Sequence, residues 1–297
     1  KFRVNYNRAY CLLCSATPSV ESYYMAQSGK YRYHALHHRY GDAVVPTVQL
    51  VDMNNEDLYR GKPMISMALA RAVSENIRVG RQSILLLNRR GYHTYAVCKD
   101  CKTVAACPNC SISMTYHAAN NRLMCHYCGH SEPAYVRCKA CGGELTFSGG
   151  GTQKAEDQLR EAFPEARILR VDTDTTANKY ALEKKLNAFA NGEYDIMIGT
   201  QMVAKGLDFE NVTLVGVLSA DQSLYSDDYR SNERTFDLLT QVVGRAGRGR
   251  YRGTALIQTH VPENPYLHLA AAQDYESFFE TEIRFRRAML YPPFADL

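Results

Sequence analysis

Residues 194–209 read YDIMIGTQMVAKGLDF: a short apolar run, a Gly-Thr turn, then a segment closing on Gly206, Asp208 and Phe209. Apolar residues at consecutive positions are what a strand covered on both faces requires. Working outward, the same pattern recurs. Strand-like runs stand at 167–171, 212–218 and 254–259, separated by helical patterns at 177–191 and 232–243. GGGT at 149–152 opens a helix carrying Ala155, Leu159 and Phe163 on one face, and 145–147 just before it is strand-like. Upstream, 47–51 and 83–88 read as strands, and 62–76 as a helix whose Met64, Met67 and Ala68 form an apolar stripe, with Arg71 next in the series. Residues 9–14 read as a first buried strand in which Cys11 and Cys14 act as small hydrophobes. Residues 265–290 read as one helix, stopped by the prolines of YPPF. Strands alternating with amphipathic helices predict an α/β fold, a parallel sheet with helices on both faces.

Between the strand at 83–88 and the one at 145–147 the text changes. Eight of the ten cysteines fall there, as four Cys-x-x-Cys pairs: Cys98/Cys101, Cys107/Cys110, Cys125/Cys128 and Cys138/Cys141. Two-residue spacing suits tetrahedral thiolate coordination, and no export signal argues for disulfides, so the expected ligands are two structural zinc ions. Sequential pairing would close two knuckles across only five residues. A nested scheme joins Cys107/Cys110 to Cys125/Cys128 and lets Cys98/Cys101 meet Cys138/Cys141 at the neck of an insert; cross-pairing stays open. His117, His126 and His130 are expected at the surface, since eight cysteines already fill two sites. Lys99, Lys102, Arg122, Arg137, Lys139, Tyr116 and Tyr127 would serve equally as a nucleic-acid or protein contact or as ordinary solvated surface.

The 297 residues carry a formal charge of +4, which eight thiolates and two Zn²⁺ would cancel, so net charge gives no argument for a polyanionic partner. Apolar runs fall far short of the roughly 20 residues a membrane span needs. With no basic leader, the expectation is a soluble, cytoplasmic protein without membrane contact.

Three segments carry chemistry. Ser15-Ala16-Thr17 follows the first strand, GTQMVAKGLDF (199–209) follows another, and QVVGRAGRG (241–249) closes a helix. In the last, Arg245 and Arg248 are separated by small residues, so two bidentate guanidiniums could converge on one phosphoryl group; the alternative is a glycine-rich cap with solvated arginines. Thr152, behind three glycines at a helix start, stands where free N–H groups favour phosphate, or is an ordinary N-cap.

In this order, the segments resemble a superfamily 2 helicase: SAT is similar to motif III, GTQMVAKGLDF to motif V and QVVGRAGRG to motif VI. LLLNRRG (85–91) is similar to motif IV, and GGGTQKAEDQL (149–159) to motif IVa. The cysteine insert, CLLCSATPSVES (11–22), the run at 220–248 and YPPF (291–294) resemble the primosomal replication-restart (PriA) helicase family in particular. The resemblance implies a RecA-like lobe with an inserted two-zinc module, nested pairing, and ATP-driven 3′→5′ movement on DNA to restart stalled forks. It implies that Gly206, Asp208, Gln241, Arg245 and Arg248 face ATP, with Arg245 and Arg248 catalytic. Thr152 and Thr200 would hold DNA, and Ser15 and Thr17 would couple the lobes. Mg²⁺, forked and single-stranded DNA, primosome proteins and single-stranded DNA-binding protein are the implied cofactor and partners. The implied division is the end of a first RecA-like lobe at 1–27, an inter-lobe connection and the start of the second lobe at 28–94, and the zinc module at 95–145. The second lobe proper follows at 146–262, and a C-terminal domain begins at 263–297.

No Gly-x4-Gly-Lys-[Ser/Thr] loop and no acidic Mg²⁺ box is found in the sequence. The expectation is that the chain begins after them and alone neither hydrolyses ATP nor unwinds DNA. Two other readings are a DNA-fork or primosome-protein binding platform without motor activity, and a different superfamily 2 repair translocase.

Overall fold

The computed structural model describes residues 4, 6–36, 45–87, 94–101, 103–110, 113–117, 120–125, 128–148, 152–171, 179–200, 203, 209–224, 228–247 and 251–295. In chain order the elements are α1 (Val20–Gln27), β1 (Thr47–Asp52), α2 (Met67–Arg78), β2 (Gln82–Leu87), β3 (Thr94–Cys98), β4 (Thr115–His117), β5 (Arg122–Met124), β6 (Ser131–Pro133) and β7 (Leu145–Ser148). There follow α3 (Thr152–Ala162), β8 (Ile168–Val171), α4 (Lys179–Ala190), β9 (Ile196–Gly199), β10 (Val212–Ser219), α5 (Ser231–Val243), β11 (Thr254–Thr259), α6 (Pro265–Ala272) and α7 (Tyr275–Ala288).

Six strands pair in parallel in the order β1-β11-β10-β2-β9-β8. Period-2 geometry sends alternate side chains of β2 to opposite faces. Ile84 and Leu86 join a core built with α1, α4, α5, α6 and α7, while Leu85 and Leu87 join one built with α2 and α3. Both faces are therefore apolar and both are covered, which is the architecture the continuous runs required.

A second sheet, β6-β5-β4-β3-β7, is wholly antiparallel and contains the cysteines. Its own small core includes Ala96, Met114, Leu123 and Leu145. The strand expected at 145–147 belongs to this sheet and not to the parallel one, because β7 takes β3 as partner, with Cys98 opposite Leu145.

The structure corrects several expectations. Residues 9–14 form no strand, and Tyr10, Leu12 and Leu13 together with Cys11 and Cys14 are exposed, because among the described residues no strand lies alongside to pair with them. The helix expected over 62–76 begins only at Met67, where Ser66 accepts from the Leu69 N–H at 3.0 Å. Its buried face is Leu69, Ala70 and Val73, while Met64 and Ala68 pack only at the border of that core and Met67 is half-buried. The long helix expected over 265–290 is broken at Gln273, which turns left-handed, and Asp274 restarts the chain by accepting from the Ser277 N–H at 3.0 Å. α1, which the sequence did not announce, is capped by Ser19.

Residues on either side of 27/28 and of 262/263 contribute to one core. Val20 and Tyr23 of α1, Phe236 of α5, Leu267 of α6 and Phe278 of α7 pack in one cluster. Arg286, fully buried, ties three of these helices: it bonds Glu233 of α5 at 2.7 Å, Glu282 of its own helix at 2.9 Å and Glu21 of α1 at 3.1 Å. Removing one member of such a buried set leaves uncompensated charge in a low-dielectric site. Arg286→Ala is expected to cost roughly 3–5 kcal/mol, read as a lowered urea midpoint of the lobe; an unchanged midpoint would show that Arg286 is dispensable to the fold.

Candidate functional site: two cysteine clusters and the ends of the parallel sheet

The knuckles are built by local backbone chemistry. The Cys98 N–H donates to Thr103 O at 3.0 Å, and the Lys99 N–H to Glu144 O at 2.9 Å, which fastens the first knuckle to the strand leading into β7. Gly129 and Gly142, each directly after the second cysteine of its pair, have φ of +75° and +76°, a region that favours glycine. Their N–H groups close the turns on Cys125 O and Cys138 O, both at 2.9 Å.

The pairing is nested. Cys98, Cys101, Cys138 and Cys141 form one group and Cys107, Cys110, Cys125 and Cys128 the other, with the four sulfurs of each within 4.8 Å of one another. Individual Sγ separations are 3.4 Å for Cys98–Cys141, 3.3 Å for Cys101–Cys141, 3.6 Å for Cys101–Cys138 and 3.6 Å for Cys107–Cys128. These exceed a disulfide bond, and they approach the S···S spacing of about 3.8 Å that a tetrahedron of 2.3 Å Zn–S bonds gives. Each group thus presents four soft donors around a space of zinc size. Both four-cysteine groups suit zinc.

The thiols are electrically uneven. Hydrogen bonding with Thr103, first with its hydroxyl and then with its N–H, brings Cys101 down to about 6. The His130 N–H brings Cys128 to the same value. Cys110 is pushed up to about 12, chiefly by its hydrogen bond with Cys128; at Cys141 the Gly143 N–H pulls downward but Cys101 and Cys98 outweigh it, to about 12. The thiols of each group share protons through their hydrogen bonds, and a dication would replace those protons because zinc binds the thiolate form. Of the three histidines singled out in the insert, His130 is half-buried and stands in neither group.

The sites expected on the lobe fall at two edges of the sheet. Thr200 follows β9 at the C-terminal edge of the strands and is half-buried. Thr152 opens α3 and is buried. Because α3 returns to β8 through a short connection, it runs antiparallel to that strand and its start lies at the same C-terminal edge. Gln241, half-buried near the end of α5, and Arg245, just beyond it, lie at the opposite edge. Two bonds fix that end: the Arg245 N–H donates to Val242 O at 2.9 Å, and the Gly247 N–H to Val212 O at the start of β10, at 3.1 Å. Gly206, Asp208 and Arg248 lie outside the described residues.

Ser15 and Thr17 make a local turn, in which Ser15 Oγ donates to Thr17 O at 2.8 Å and accepts from Thr17 N at 3.1 Å. Thr17 is buried; on α5, one helical turn before Gln241, burial pushes the Asp237 carboxyl up to about 7, and Thr17 pulls against that rise. Asp237 and Glu233 were not singled out in the sequence. The signal available was their i, i+4 spacing with Gln241 on one face of α5.

With this geometry in place, comparison with known proteins decides the assignment. Residues 107–133 match the PriA DNA helicase Cys-rich region (CRR) domain, and residues 145–250 the helicase conserved C-terminal domain. The replication restart protein PriA of Bacillus subtilis is 48% identical over 293 residues, 98% of this chain and 36% of that protein. The likeness to PriA replication restart proteins runs over nearly the whole chain. PriA of Chlamydia trachomatis is 43% identical over 294 residues, 97% of this chain and 39% of the relative. The chain spans little more than a third of the length of these relatives. RecG, in a structure bound to a three-way DNA junction, shares the fold at a TM-score of 0.50 and 13% identity, over 92% of this chain and 26% of RecG. The parallel sheet is thus a RecA-like helicase C-terminal lobe, and no helix among the described residues is long and apolar enough to cross a membrane.

Zinc-loaded protein is expected to release two zinc ions per chain to a strong chelator or on acidification, since the ligands must be deprotonated. Cys98→Ala should retain one of the two. Release of a single ion by the unmodified chain, or none, in a colorimetric zinc assay would contradict the two-site assignment.

Proposed function

We propose that the chain is the C-terminal motor lobe and zinc module of an ATP-dependent 3′→5′ DNA helicase that restarts stalled replication forks. The observation that carries this reading is the separation of phosphate-directed groups onto two edges of one helicase-type sheet. Thr152 and Thr200 stand at the C-terminal edge of the strands, where hydroxyls beside a strand end and a helix start suit DNA backbone. Gln241 and Arg245 stand at the other edge, so that nucleotide and DNA engage the same rigid layer from different ends.

On this reading Gly206, Asp208, Gln241, Arg245 and Arg248 hold ATP from this lobe. The guanidiniums of Arg245 and Arg248 neutralise charge on the transferring phosphoryl group, which is electrostatic stabilisation of the kind that dominates phosphoryl transfer. ATP with Mg²⁺ supplies the transferred phosphoryl group when bound. The zinc ions are structural, because four cysteines at each leave no open coordination position. The zinc module, with forked and single-stranded DNA, primosome proteins and single-stranded DNA-binding protein as partners, completes the restart role. The chain carries no phosphate-binding Gly-x4-Gly-Lys-[Ser/Thr] loop, and by itself it is expected to be silent as an ATPase.

In full-length protein, Arg245→Ala is expected to lower DNA-stimulated ATP turnover by about a thousandfold or more, with DNA affinity changed only a few-fold. Turnover within a few-fold of wild type would remove Arg245 from the nucleotide site.

A further inference from the structure

α7 ends on a turn that its own sequence resists. The Tyr291 N–H donates to Arg286 O at 2.8 Å and the Leu290 N–H to Arg287 O at 3.4 Å, the pair of bonds that closes a helix on a left-handed residue. That residue is Leu290, at a φ of +54°. Glycine is preferred there because a Cβ crowds the following carbonyl. Among the described residues Leu290 is the one apolar side chain at positive φ, and it recovers nothing by burial, since 66% of it is exposed. Backbone strain held without a packing return is characteristic of functional sites.

Leu290 does not stand alone. Phe285 is 41% exposed and Met289 52%, so an apolar face continues over the end of α7. Its rings are braced from beneath. Tyr291 meets Phe285 at 6.0 Å and Tyr229 at 5.3 Å between ring centroids, and Tyr229 in turn lies 5.1 Å from the buried Arg286 guanidinium. Cations border the face. Arg284 is exposed, 3.6 Å from Glu280, and Arg287 is exposed with its guanidinium 5.0 Å from the Phe294 ring. Of these two, only Arg284 has a carboxylate partner among the described residues.

The packing of α7 places this face. Phe278 stacks on Phe236, while Arg286, further along, reaches Glu233 nearer the start of α5. α7 therefore runs antiparallel to α5 and ends beside its first turn. Because α5 starts from the C-terminal end of β10, the face stands at the edge of the sheet that carries Thr152 and Thr200.

We propose that the end of α7 is a stacking platform for single-stranded DNA: an unpaired base lies against Phe285 and Leu290, and Arg284 and Arg287 meet the flanking phosphates. This inference rests on the reading of that edge as the DNA edge given above. Braced rings interleaved with cations suit a single strand, because every base has a π-face and the phosphates run beside it. The cationic border favours a strand of phosphates over an apolar protein segment, which would use the same area without needing a ring.

The test is the anisotropy of a fluorescein-labelled oligothymidylate titrated with full-length protein over a series of salt concentrations. Phe285→Ala is expected to weaken binding about tenfold, the size of one base stacked on a ring. Phe285→Leu keeps the apolar area and should lose as much, whereas Phe285→Trp should bind at least as tightly as the unmodified protein. Arg287→Gln should flatten the dependence of log Kd on log salt by about 0.7, the share of one phosphate on a single strand, and Phe285→Leu should leave that slope as it is. Leu290→Gly separates function from folding: it should raise the urea midpoint of the lobe while weakening oligothymidylate binding, the reverse of what damage to the fold would do. Full affinity in Phe285→Leu would assign the face to an apolar protein segment and overturn the proposal, as would an unmoved salt slope in Arg287→Gln. A lowered urea midpoint in Leu290→Gly would remove the argument from strain and overturn the role of Leu290. If Thr200→Val weakens oligothymidylate binding while Phe285→Ala does not, only this inference fails; if neither does, the reading of the edge fails with it.

Discussion

The buried guanidinium of Arg286 is the contact on which the rest of the lobe is hung. A charge without solvent must be met on several sides at once, so Glu21, Glu233 and Glu282 cannot move independently of it. They belong to α1, α5 and α7, elements from opposite ends of the chain. Through Glu233 the same ion set reaches the Val20 N–H, so the entry segment and the helix leading to Arg245 share one electrostatic anchor. Aromatic packing closes around it: Phe236 stacks on Phe278 at 4.2 Å, and Tyr23 meets Tyr275 and Phe279 edge-on.

What the sequence made legible follows the range of the interaction involved. The cysteine pairs were readable because coordination is imposed by two-residue spacing, a local property; loop lengths favoured the nested scheme but left cross-pairing open, and the grouping of the sulfurs decides it. Strands such as β2 and β10 were readable because burial on both faces leaves an unbroken apolar run. Residues 9–14 show the limit of that rule: the run CLLC is as apolar as a buried strand, but burial needs a neighbouring strand, and none among the described residues provides one. In α2 the spacing was helical, but the helix starts at the Ser66 cap and the core takes the neighbouring face, Leu69, Ala70 and Val73.

Asp237 was illegible for a related reason. Nothing in TFDLLTQ distinguishes a carboxylate that will be buried from one that will face water. Its surroundings include Tyr275 of α7, distant in sequence. The separation of Thr152 and Thr200 from Gln241 and Arg245 was hidden too. Motifs that sit at element ends look alike on paper, and only the direction of each connection sends them to one edge of the sheet or the other. The RecA-like lobe, by contrast, could be named from the order of its motifs.

The pairing of β3 with β7 means that the cysteine-rich excursion leaves and re-enters the lobe at neighbouring backbone positions. For the host this is a closed detour. Its length scarcely matters to the parallel sheet, because loop-closure entropy grows only logarithmically and the outer cluster of four cysteines meets it at the neck. Such an attachment lets the detour be lengthened, shortened or resurfaced without disturbing the register of the strands on either side. It makes the metal-bearing part an exchangeable accessory on a fixed engine block, free to acquire new contacts while the sheet beneath it keeps its geometry.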